Sequence, residues 1–128
     1  MGHGAEMLGH FLDAFRGFPD RRAASKIQAR AAVESVLAAA RQTQTYLGAL
    51  RDRSRPADRP AELDLIDLWH DAAVHLEPVD TDLSQICLTK AQFWAHPKDW
   101  SHEEFDAVLN TAQEVCDEAR QRLEGGAA

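Results

Sequence analysis

The sequence predicts an all-α fold: an antiparallel four-helix-bundle-like domain with an extra short N-terminal amphipathic helix. Three observations predict it. Apolar residues recur at helical spacing in five segments, and no segment alternates as a half-buried strand would. Proline and glycine fall between those segments, at positions 17–19, 56–60, 78, 97 and 125–126, where they punctuate helices. Residues that start helices precede most of the apolar stripes. At 128 residues the chain is long enough to bury one core without disulfides or metals. It reads as a single domain over residues 1–128.

The first helix is expected over about 5–16. Met7, Leu8, Phe11, Leu12 and Phe15 share one face, and Gly17, Phe18 and Pro19 end it. A helix this short and apolar is not stable alone in water, so it must dock. The second is expected over 20–51, started by Pro19 and Asp20. Its face carries Ala29, Ala32, Val33, Val36, Ala40, Thr43, Leu47 and Leu50. Small residues there permit close helix contact, and its length suggests that it projects past its neighbours. Phe11, Phe15, Val36, Ala40 and Leu47 are therefore the expected interface residues of a homodimer or partner complex.

Residues 52–60, DRSRPADRP, have the composition of a linker. The third helix is expected over 61–76, with Leu65, Ile66, Trp69, Ala72, Ala73 and Leu76 inward and Pro78 beyond its end. The fourth is expected over 81–96 on a stripe of Leu83, Ile86, Cys87, Ala91 and Trp94. The fifth, over 102–123, has the best-marked start. Ser101 and Glu104 fit a capping box, and Trp100 and Phe105 fit the hydrophobic staple outside it. The short connections make helices 3, 4 and 5 expected antiparallel neighbours.

The net charge of −7 is unevenly spread: −2 over residues 1–15, +6 over 16–59 and −11 over 60–128. The basic residues are dispersed, so the basic helix is expected to neutralise acidic neighbours. Phosphate contact through Arg21, Arg22, Lys26 and Arg30 is a weaker reading, and nucleic-acid binding is not expected. No apolar run is long enough to span a membrane, and MGHGAEMLGH lacks the pattern of a secretory signal. Cys87 and Cys116, the only two cysteines, lie on apolar stripes and read as buried thiols of a cytoplasmic protein. The alanine, arginine and aspartate bias suits a bacterial source.

Two clusters could carry chemistry. Asp64, Asp67, Asp71 and His75 align on one face of helix 3, but that face points away from Trp69, so a solvated acidic face is expected and no metal site or cofactor. The segment KAQFWAHPKDWSH, Lys90 to His102, is richer in unusual side chains. Lys90 sits on the stripe of Trp94, where it would hold an anion or snorkel to solvent. Lys90, Trp94, His96, Trp100, Trp69 and His70 are the candidate ligand or partner contacts. No phosphate loop, dinucleotide fingerprint or zinc-protease motif is present, and no catalytic residue is expected. The sequence thus favours a non-enzymatic interaction or self-association module. The alternative is a small-molecule or anion-binding bundle with a pocket near Lys90 and Trp94.

Overall fold

The computed structural model describes residues 3–17 and 26–125. Among them are five helices and no strand: α1 (His3–Arg16), α2 (Lys26–Arg51), α3 (Arg59–Leu76), α4 (Thr81–Trp94) and α5 (His102–Gly125). The start expected for helix 2 at Pro19 and Asp20, Phe18 as part of the end of helix 1, the arginines Arg21 and Arg22, and Gly126 lie outside the described residues. No described helix is long and apolar enough to cross a membrane.

Local chemistry sets the helix starts. Asp58 caps α3, its carboxylate accepting from the Ala61 amide at 3.2 Å, with Pro60 in the first turn, where its missing N–H costs nothing. Asp80 caps α4 through the Leu83 amide. Ser101 caps α5, its hydroxyl accepting from the Glu104 amide at 3.0 Å. The Trp100 and Phe105 rings meet edge to face at 5.2 Å, closing the staple. Arg53, just past α2, lies in the left-handed region at φ 61°.

The helices close into a ring in the order α1, α4, α3, α2, α5 and back to α1. This corrects the sequence expectation that α4 and α5 are neighbours: the extra N-terminal helix lies between them. The α4–α5 connection, residues 95–101, is long enough to step over the first turn of α1, which fills the gap between them. Ser84 on α4 donates to the Ala73 carbonyl on α3. Thr43 meets Trp69, and Tyr46 meets Glu62, between α2 and α3. Gln44 donates to Gln113, and Arg51 to Asp106, between α2 and α5. These pairings make α2 to α5 alternate in direction. Ala5 bonds to Glu104 and Arg16 to Glu114, so α1 runs parallel to α5.

The core fills the ring. Phe11 of α1 lies 5.3 Å from Trp69 and 6.0 Å from Trp94, and the two indoles meet edge to face at 5.1 Å. Leu8, Phe11 and Phe15 are fully buried, and each such side chain is worth about 1.5–3 kcal/mol of transfer free energy. The five expected interface residues, Phe11, Phe15, Val36, Ala40 and Leu47, are likewise 0% exposed: the fold closes over them and α1 uses its apolar face within the chain. The described part of α2 is the longest helix by a small margin, and residues 20–25 of the expected helix lie outside the described residues. Its 26 residues span about 39 Å and the 24 of α5 about 36 Å. Arg16–Glu114 and Arg51–Asp106 are the cross-helix form of the expected neutralisation, though exposed pairs of this kind stabilise little.

The crossing of the α4–α5 connection over α1 leaves no room at Gly4. A Cβ there would stand 2.5 Å from the Trp100 ring and 2.9 Å from the Phe93 carbonyl oxygen, whereas one at Gly9 meets nothing within 4 Å. Gly4→Ala is therefore expected to destabilise by about 1–3 kcal/mol through overpacking. Gly9→Ala, in the same helix, should stabilise by up to about 1 kcal/mol. Urea denaturation of both variants checks the pair, and midpoints moving in the same direction would contradict this packing of α1.

Candidate functional site

The sequence puts an acid on the inward stripe of α3. Glu62 stands three residues before Leu65 and seven before Trp69, and the helix turns it into the interior at 3% exposure. A buried carboxylate must be matched by donors. Tyr46 on α2 donates to Oε2 at 2.6 Å. His96, in the α4–α5 connection, brings Nδ1 to 2.7 Å from Oε1. Arg59, one turn earlier on α3, reaches Oε1 at 3.4 Å. Glu62 thereby joins α2, α3 and the connection.

Tyr46 is bound on both sides. Its hydroxyl accepts from the Asp58 amide at 2.8 Å, and the Arg55 guanidinium lies over its ring at 4.9 Å. Burial first, then the hydrogen bond and charge of Glu62, push the phenol from 10.0 up to about 12, against the lowering effects of the Asp58 backbone and Arg55.

His96 and Arg59 face outward into a cleft of about 630 Å³, within the roughly 300–1,000 Å³ of small-molecule sites. Its walls are the first turn of α1 (His3, Gly4), the end of α4 (Gln92, Phe93), the connection through Lys98, Asp99, Trp100 and Ser101, and Glu104 of α5. Asp99 is held at φ 58°, a left-handed conformation that aspartate tolerates better than most residues. Glu104 does not complete its capping box. Its carboxylate accepts from the Ala5 amide at 2.8 Å instead, placing an acid at the positive end of α1. The Lys98 side chain makes no ion pair with any described residue.

Of the six contact residues expected from sequence, His96 and Trp100 line the cleft, while Lys90, Trp94, Trp69 and His70 do not. Trp69 and Trp94 are 0% exposed. Trp69 donates its indole N–H to Thr43 at 3.0 Å, whereas the buried Trp94 N–H has no partner among the described residues. Lys90 and His70 are half-buried. The pocket thus lies beside His96 and Trp100, because Trp94 turns into the core against Phe11. Glu62 holds His96 through Nδ1 while the ring lines the cleft. Asp64, Asp67, Asp71 and His75 lie exposed on α3, and His75 bonds through Nδ1 to the Asp71 carbonyl and the Ser35 hydroxyl. Cys87 and Cys116 are free and buried, and burial pushes both thiols up, away from nucleophilic use.

Glu62, Arg59 and Lys98 are the site residues that sequence reasoning missed. The available signal was Glu62 itself, an acid in register with Leu65, Trp69 and Leu76.

Neither a protein-family model nor a curated protein nor a solved structure matches this chain. The cleft is therefore interpreted from its own chemistry.

Tyr46 is the only tyrosine, so its ionisation can be followed without labels by near-ultraviolet absorbance. A folded-state value above the unfolded one means that Tyr46 contributes fully below about pH 10 and loses that contribution as pH rises through about 12. The titration midpoint is expected near 12 in the native protein and near 10 in denaturant. Tyr46→Phe should cost about 1–3 kcal/mol, because it leaves Glu62 short of a buried donor. A native midpoint at 10 would contradict the Tyr46–Glu62 bond.

Proposed function

We propose that the chain is a binding domain whose cleft takes a small organic anion. The observation that carries this reading is the pairing of cations with aromatic surface in one concavity. Lys98 and Arg59 stand at the cleft wall with Phe93 and Trp100, and Lys98 has no acidic partner among the described residues. A few placed polar groups on a partly apolar lining are the usual composition of a ligand site. Buried, unpaired Cys87 and Cys116 support a cytoplasmic location.

Phenylpropionate and phenylpropanol share a ring and chain and differ in charge. Trp100 is the tryptophan at the cleft, Trp69 and Trp94 being fully buried. Titration with phenylpropionate is expected to change the emission saturably, and phenylpropanol should bind at least about fivefold more weakly. Trp100→Phe should remove most of the signal, and Lys98→Met should weaken the acid about three- to tenfold. Equal responses to acid and alcohol, or no response to either, would defeat the reading.

Self-association is a second reading, resting on a different observation. Leu63 and Val74 are 47% and 67% exposed on α3, eleven positions apart and so on one side of the helix, with half-buried Ile66 and His70 between them. Light scattering over a range of concentrations should then show a dimer that Val74→Glu dissociates. A monomer throughout would remove this reading.

A further inference from the structure

We infer that the cleft selects anions that also carry a hydroxyl or amine, and that His96 Nε2 is the atom that accepts this donor. The inference rests on the anion-binding reading and specifies its ligand class.

The argument starts at the buried carboxylate. Glu62 lies within hydrogen-bond distance of Tyr46 Oη, Arg59 Nη1 and His96 Nδ1. The arginine has only protons to give. The phenol, held in its protonated form, offers its proton at the shortest of the three contacts. With a donor already on each carboxylate oxygen, Glu62 accepts at both, so His96 donates from Nδ1. That fixes the tautomer of the neutral ring: the proton is on Nδ1 and the lone pair on Nε2. The carboxylate on Nδ1–H also locks the ring plane.

Placement completes the argument. The His96 side chain is 37% exposed against 5% for Glu62, and the ring lines the cleft. With Nδ1 committed to the interior, the solvent-facing part of the ring presents Nε2. The same wall carries Arg59 and Lys98, which offer protons and positive charge and accept nothing. A ligand that satisfies both kinds of group needs an anionic end for the cations and a donor for Nε2. A hydroxy acid or an amino acid has both, whereas a plain carboxylate leaves the imidazole acceptor unmatched.

Phenyllactate and phenylpropionate differ by one hydroxyl, and amide-shift titration of the full chain gives both affinities. Phenyllactate is expected to bind about tenfold more tightly, the effect of one well-placed hydrogen bond. His96→Asn separates this role from a structural one. The asparagine amide nitrogen takes the place of Nδ1 and keeps a donor on Glu62, but nothing replaces Nε2. In this variant the preference should fall below about twofold while the urea midpoint stays near wild type. Lys98→Met should weaken both probes alike and preserve the ratio. Equal wild-type affinities for the two acids, or a preference that survives His96→Asn, would overturn the inference and leave the anion reading standing. Absence of binding by both acids would overturn the two together.

Discussion

The arrangement depends on one carboxylate kept out of water. Removing an ionised glutamate from solvent is costly unless donors replace the lost hydration, and Glu62 on α3 is almost wholly buried. Its donors come from α2, from α3 itself and from the α4–α5 connection. All three reach the same carboxylate. The tie adds to the buried Ala95 and to the packing of Trp100 on Phe105 in holding residues 95–101. With it, His96 is pinned to Glu62 and the chain after it turns through Lys98 and Asp99 before Trp100 settles over α1. The same set of hydrogen bonds that satisfies the acid therefore shapes one wall of the cleft.

The opposite wall is the start of α1, and its position has a separate cause. The row Leu8, Phe11, Leu12 and Phe15 is too apolar for a surface helix, and the ring of four staves leaves a gap between α4 and α5 for it. Filling that gap brings Phe11 against both core tryptophans. It also brings the first turn of α1 under the connection, where only glycine fits at position 4 and where the Glu104 carboxylate meets the Ala5 amide. The cleft is thus a by-product of two packing solutions meeting: a connection held by a buried acid, and a fifth helix inserted beneath it.

The helices themselves were legible because their signals are local. Period, proline position and the Ser101 cap before α5 act within a few residues, and five helices were expected where five are found among the described residues. The ring order was not legible. Chain order and short connections suggested that α4 and α5 touch, and nothing local says that a helix from the other end of the chain lies between them. The site was half legible. His96 and Trp100 drew notice for their residue types, but nothing local pairs His96 with Glu62, which lies 34 residues away. Glu62 was overlooked because an acid in the first turn of a helix is ordinary, helped by the helix dipole. Its register with Leu65, Trp69 and Leu76 was the contrary sign. The pairing of small and apolar residues on α2 was read as a seam between molecules, and the same pattern serves equally for packing within one.

The account stands or falls on the bond between Glu62 and His96, and nitrogen-15 NMR of the histidine ring observes it directly. The predicted result is a His96 ring that carries a proton on Nδ1, with that proton far downfield and slow to exchange. A ring protonated on Nε2 alone, or one whose nitrogens average with solvent as those of an exposed histidine do, would show that the buried acid does not hold the connection and that the cleft is not built as described.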